Sequence, residues 1–207
     1  MKIVHIITRL IIGGAQENTL LSCEGQHDRG HEVTLITGPG LGPEGSLLER
    51  ARNYGYRVIV LDEMRRAIHP VLDYQSYTKL IRLLRELKPD IVHTHSSKAG
   101  IIGRWAAYRA RVPVIIHTIH GLAFTASTSR AVNWVYKQLE KRTAPITTKI
   151  VCVADAMARQ SLQAGIGRPE QYVTVYSGME TKEFVNPPIP RAEMRRRLGI
   201  ADEHVVI

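Results

Sequence analysis

Short runs of Val, Ile and Leu recur along the chain, and stretches with one apolar face fill the gaps between them. KIVHII (2–7), HEVTLIT (31–37), YRVIVL (56–61), DIVHTH (90–95), VPVIIHT (112–118), KIVCVA (149–154) and YVTVY (172–176) read as strands. They are mostly continuous rather than alternating, as strands covered on both faces should be. Helical periodicity falls between them at 15–29, 45–54, 74–88, 98–110, 130–142 and 155–165. Gly30, Gly55 and Pro89 follow the first three helices as stop signals. Strand and helix alternating this regularly predict an α/β fold, a Rossmann-like doubly wound parallel sheet with helices on both faces.

Beyond Tyr176 the pattern changes. Pro187, Pro188 and Pro190 favour extended backbone over 178–190, which reads as an interdomain linker. A short basic helix is expected at 191–198, closed by Gly199, and the apolar run at 203–207 reads as a first strand without its sheet. The expected organisation is therefore a domain over 1–177, a linker over 178–190 and the start of a truncated second domain over 191–207.

Composition narrows the class. With 44% hydrophobic and 23% charged residues in 207, the chain is of ordinary globular type. No apolar run reaches the roughly 20 residues that span a bilayer, and the N-terminus lacks the pattern of a signal peptide. Cys23 and Cys152 both lie in apolar surroundings, which predicts reduced, buried thiols in a cytoplasmic protein and excludes a disulfide scaffold. The net charge of +9 is local. Between Lys98 and Arg168 lie eleven basic residues and two acidic ones, whereas the rest of the chain balances at 17 against 17. That block reads as solvated helix faces, or as a surface for anionic membrane or a phosphate-bearing ligand. Without a recognition motif or interleaved aromatics it does not read as a nucleic-acid surface.

Candidate chemistry sits where strands end. Gly13 and Gly14 follow the first strand, where a missing Cβ lets backbone N–H groups approach a phosphate or sugar; the bland alternative is a tight turn. Neither the dinucleotide nor the P-loop spacing is present. His93, His95, His117 and His120 cluster at the ends of two strands, in HTHSSKAG and HTIHG. Such histidines can bind a metal, contact a polyol, transfer protons or simply fill a core. Neither HTHSSKAG nor HTIHG contains an acidic residue to complete a metal site, and His93 and His117 lie inside apolar runs. Ser96, Ser97 and Lys98 open the next helix as a polar, cationic anion site. Leu122 and Phe124 form an apolar loop tip leading into a helix with Trp134 and Tyr136. That segment is either a core helix after a flexible loop or a membrane-facing, acceptor-gating element.

IIGGAQ, KPDIVHTHSSKAGIIGR, VPVIIHTIHG, TTKIVCVADAM and VTVYSGMETKEF follow one another in an order that resembles the N-terminal, acceptor-binding half of family-4 GT-B glycosyltransferases. The resemblance implies a two-domain enzyme that moves a sugar from a nucleotide-sugar donor, UDP- or GDP-linked, to a glycan, lipid-linked or polysaccharide acceptor. Retention of anomeric configuration is implied, with no metal needed for the chemistry. Donor contacts would come mostly from a C-terminal domain lying outside this sequence, so the chain alone should be inactive. Position by position, Gly13 and Gly14 match the donor-phosphate loop. His120 matches the catalytic histidine that supports an oxocarbenium-like transition state. His95, Ser96, Ser97 and Lys98 fall where acceptor contacts are made. Val153-Ala154 and Ser177-Gly178-Met179-Glu180 depart from the family's usual Val-Ser and Asn-Gly-hydrophobe-Asp. A cytoplasmic protein, peripheral on the inner face of the cell membrane, is the expected setting. The rival expectations are a GT-B-fold sugar-nucleotide epimerase and a non-catalytic α/β ligand-binding domain.

Overall fold

The computed structural model describes residues 1–40, 42–125 and 127–206. Strands β1 (Lys2–Ile7), β2 (Glu32–Thr37), β3 (Arg57–Val60), β4 (Ile91–His95), β5 (Val114–Ile119), β6 (Lys149–Cys152) and β7 (Tyr172–Thr174) form one sheet. Its order is β3-β2-β1-β4-β5-β6-β7, and every pairing is parallel. Helices α1 (Gly14–Asp28), α2 (Leu48–Asn53), α3 (Pro70–Leu87), α4 (Ser97–Arg109), α5 (Arg130–Thr143) and α6 (Asp155–Gln163) connect the strands. The predicted doubly wound architecture is therefore present.

Period-2 geometry separates the two cores. Val4, Ile6, Ile36, Val92 and Ile115 point to one face and pack against Leu80 and Leu84 of α3 and Ala99, Ala106 and Ala107 of α4. Ile7, Val33 and Leu35 point to the other and meet Leu20 and Cys23 of α1 and Ala51 of α2. The small residues of α4 let it lie close to the sheet. A Cβ on Gly100 would stand 2.5 Å from His117 Cε1, and one on Gly103 2.9 Å from Thr94 Cγ2. Both cysteines are free and buried, as expected.

Burial differs from the expectation in one respect. β1 and β2 are buried at every position but the first, whereas β5 and β6 alternate. Ile115, His117, Ile150 and Cys152 are covered, while Ile116 and Val151 are half-exposed. A continuous apolar run thus overstates coverage at the β3 edge and for the half of the sheet beyond β4.

The chain divides into compact units at Met1–Ser177 and Gly178–Ile207. The second unit contains α7 (Lys182–Val185) and α8 (Arg191–Arg197). Within it, Arg195 donates to the carbonyls of Ala201 and His204. The strand expected over 203–207 is not formed at 203–206, and Ile207 lies outside the described residues. A strand exists only by pairing, and the described residues of this unit offer that run no neighbouring strand. Among the described residues no helix is long and apolar enough to cross a membrane.

Candidate active site

The sheet order reverses direction between β1 and β4. After β1 the chain turns to α1 on one face; after β4 it turns to α4 on the other. That divergence opens a crevice at the carboxyl ends of the strands, where ligands of open α/β sheets bind. Thr8 and Ser96 stitch its floor: Thr8 Oγ1 lies 2.7 Å from Ser96 Oγ, and the Ala99 amide donates to Thr8 Oγ1 at 3.1 Å. Ser96 holds φ 60° and ψ 158°, a conformation costly for a residue with a Cβ, about 1–3 kcal/mol. These bonds, and the Gly100 amide donating to the Ser96 carbonyl at 2.8 Å, hold it there. Ser96 and Ser97 are thereby presented to the crevice.

Parallel register does the next piece of assembly. His5 of β1 stands directly opposite His93 of β4, and His95 follows on the same face. His5 Nε2 lies 2.8 Å from Gln26 Oε1 on α1, and His5 Nδ1 lies 3.0 Å from His95 Nε2. His95 Nδ1 in turn lies 3.1 Å from His120 Nε2, beyond the end of β5. A continuous chain, Gln26–His5–His95–His120, runs from helix to crevice. His93 bonds Thr118 Oγ1 at 2.7 Å, and His117, on the opposite face, bonds Thr94 Oγ1 at 3.0 Å.

Burial keeps these imidazoles neutral. His120 is held down to about 4 by desolvation. His5 is also held at about 4, with its bond to Gln26 opposing the burial. His93 and His95 lie well below the usual value through burial and then the neighbouring imidazoles, and His117 through burial and then the Arg104 charge. At neutral pH His120 is accordingly a hydrogen-bonding group and not a cation.

His5, His93 and His95 offer ring nitrogens within 4.8 Å of one another, the makings of a three-histidine metal site. The fit is poor. His5 Nδ1 and His95 Nε2 are 3.0 Å apart, a hydrogen-bond distance, whereas ligand nitrogens at about 2.0–2.1 Å on a tetrahedral ion stand about 3.3 Å apart.

His120 borders a cavity of about 270 Å³ with Ser96, Ser97, Thr118, Leu122 and Phe124. Leu122 and Phe124 are half-buried, so the predicted loop tip turns inward, while Trp134 on α5 is 64% exposed and no core residue. A second recess of about 230 Å³ shares Ser96 and Ser97 and adds Thr8, Arg9, Arg66 and Lys98. Lys98 is less free than its position in the sequence implied: its ammonium pairs with Asp73 and donates to the Ala67 carbonyl, clamping α3 to α4. The carboxylate in the larger cavity, Glu140, is held by Arg104 Nη2 at 2.9 and 2.7 Å. Gly13 caps α1 without a side-chain bond, and a Cβ on Gly14 would meet nothing within 4 Å, so packing alone does not require glycine there.

The structure thus brings His95, Ser96, Ser97 and His120 together and sets Lys98 beside them in an ion pair. His5, Gln26 and Thr8 were not anticipated. His5 was the one with a signal, a polar residue inside an apolar strand next in order to HTH.

Comparison with known proteins bears on the family and the fold. A family model described as a glycosyl transferase 4-like domain matches residues 13–178. The UDP-Gal:alpha-D-GlcNAc-diphosphoundecaprenol alpha-1,3-galactosyltransferase of Escherichia coli is 30% identical over 198 residues, 96% of this chain and 50% of that protein. The chain therefore spans about half the length of that relative. A glycosyltransferase from Rickettsia africae superposes with a TM-score of 0.68 at 15% identity, over 98% of this chain and 50% of that one. The UDP-GlcNAc 2-epimerase of Methanocaldococcus jannaschii superposes at 0.61 and 15% identity, over 84% and 45% respectively. At such identities the likeness is one of fold.

Proposed function

The chain belongs to the glycosyl transferase 4-like family, and on that premise we propose that it forms the acceptor-side domain of a retaining glycosyltransferase. The enzyme moves a hexose from a UDP- or GDP-linked donor to a lipid-linked glycan in the building of a surface polysaccharide. The observation that carries this reading is the neutral His120 on the wall of the larger cavity, beside Ser96 and Ser97 at the sheet's switch point.

Each residue takes a role that its place allows. A neutral imidazole stabilises a developing oxocarbenium ion by hydrogen bonding and position without placing a like charge beside it. His95 orients His120, and Ser96 and Ser97 offer hydroxyls to the acceptor sugar. Gly13 and Gly14, at the start of α1 where no side chain caps the helix, face the donor phosphates. Arg66 in the adjoining recess gives the diphosphate of a lipid-linked acceptor a counter-charge, with Arg9, ion-paired to Glu44 at 3.6 Å, beside it and Lys98 holding the recess in shape. The chemistry proceeds without a metal, the leaving phosphate taking the acceptor proton.

The setting is the inner face of the cell membrane, and no nucleic acid is involved. Ile68 (79% exposed) and Tyr74 (67% exposed) lie near Arg65 and Arg66 in the chain, and α5 exposes Val132, Trp134 and Val135 beside Arg130. Exposed apolar and aromatic groups beside bases suit an anionic lipid interface.

A sugar-nucleotide epimerase is the second reading, favoured by the shared fold. It needs a free acid or base at the sugar, and Glu140 in this cavity is already bound by Arg104. The discriminating experiment offers the intact protein a panel of UDP- and GDP-sugars with a polyprenyl-diphosphate-linked acceptor. Transfer of sugar is expected. Epimerised donor, or no reaction with any donor, overturns the assignment. Flotation with anionic but not neutral vesicles is expected alongside, and binding indifferent to lipid charge removes the membrane role.

A further inference from the structure

We propose that Gln26, His5 and His95 form a directional relay that fixes His120 as its Nε2–H tautomer, leaving Nδ1 as a lone pair that accepts a hydrogen bond from a hydroxyl of the sugar. The inference deepens the transferase reading and rests on it for the identity of the ligand, though not for the relay itself.

The direction follows from counting donors. A neutral imidazole donates through one nitrogen and accepts through the other. Both nitrogens of His5 are engaged, with Gln26 Oε1 at 2.8 Å and His95 Nε2 at 3.0 Å. Both nitrogens of His95 are engaged as well, the second with His120 Nε2 at 3.1 Å. A carbonyl oxygen can only accept, so His5 must carry its proton on Nε2 and accept at Nδ1. His95 must then donate from Nε2 and accept at Nδ1. His120 therefore donates from Nε2, and the polarity set at Gln26 emerges as an acceptor at His120 Nδ1. Each link is a neutral hydrogen bond between groups withdrawn from water, where such chains polarise one another and a misdirected member leaves an unpaired group.

An apolar set of side chains would fill the same space without desolvating three imidazoles, so the relay is costly as packing alone. Its function is to choose between donor and acceptor at a residue whose own loop leaves the choice open. The ligand group it selects is a hydroxyl facing His120, and a carbonyl or ether oxygen at that place is disfavoured because it has no proton to give. Gln26 and His5 are positioning residues, acting on the sugar only through His95 and His120.

The test is the tautomer itself, read by long-range proton–nitrogen correlation spectra of the ¹⁵N-histidine-labelled protein at neutral pH. His5, His95 and His120 are all expected as Nε2–H. Gln26→Leu removes the directing acceptor and should give His120 mixed Nδ1–H and Nε2–H character, with kcat for transfer falling roughly twofold as half the molecules present the wrong face. Gln26→Glu, which also only accepts, should restore the single Nε2–H form. Wild-type His120 found as Nδ1–H overturns the proposal, as does a tautomer unmoved by Gln26→Leu. The wild-type spectrum decides the matter even if a variant does not fold. Since the tautomer is read without turnover, the expected spectra in a protein that transfers no sugar support the relay and overturn the transferase reading.

Discussion

Histidines withdrawn from water tie the stability of this domain to pH. His5 is held at about 4, and His93, His95 and His117 lie well below their usual value, all chiefly through burial. The unfolded chain binds protons at these groups as pH falls through about 6.5, while the folded state does not until far lower. Unfolding free energy therefore drops as pH falls from about 6.5 towards 4, and a fully desolvated histidine accounts for on the order of 3 kcal/mol. Glu63 is lowered mainly by its bond with Lys79, so its contribution is lost only as pH falls through and below the carboxylate range. A series of thermal midpoints from pH 7.5 to 4.5 should fall most steeply below 6.5, and His5→Gln should reduce that slope by about one proton. A flat profile over this range contradicts neutral burial. Of these residues, His95 and His120 were legible because they close apolar runs at strand ends. His5 and Gln26 were not: one polar residue inside a strand looks incidental until register sets it opposite His93, and Gln26 sits in α1 like any solvent-facing amide.

At the level of elements, all seven predicted strands and all six predicted helices of the first unit form, because continuous Val/Ile runs and 3.6-residue periodicity seldom support another answer. What the pattern hid is which charges go inside. In IIGRWAAYR, Arg104 reads as an exposed base, yet it is fully buried, donating to the Gly100 carbonyl, Thr147 and both oxygens of Glu140. Helix spacing alone does not reveal a partner 36 residues away on α5. Removing one member of such a pair strands the other in a low dielectric, so Arg104→Ala should cost about 3–5 kcal/mol in denaturant unfolding. The double variant Arg104→Met, Glu140→Leu should recover most of that loss, because buried pairs are often replaceable by apolar groups of similar volume. Additive losses in the two single changes and the double would show the pair to be uncoupled.

For the molecule as a whole, the +9 charge takes on a narrower meaning. Arg104 is spent inside and Lys98 is held by Asp73, so the charge of the 98–168 block rests on its remaining basic residues, from the end of α4 through α5 and α6. The proposed sugar transfer rests on the family, the switch-point crevice and the neutral His120. The fold was readable from periodicity, and the crevice from strand ends. The reach of Leu122 and Phe124 into the cavity was not, because an apolar loop can equally well cover a site or face a membrane. The most direct test of the account is kcat for His120→Ala in the intact protein with its nucleotide-sugar donor and lipid-linked acceptor. The account predicts a fall of about 100-fold or more, the cost of losing one preorganised transition-state contact, with KM for the acceptor little changed. A variant turning over at the wild-type rate contradicts it.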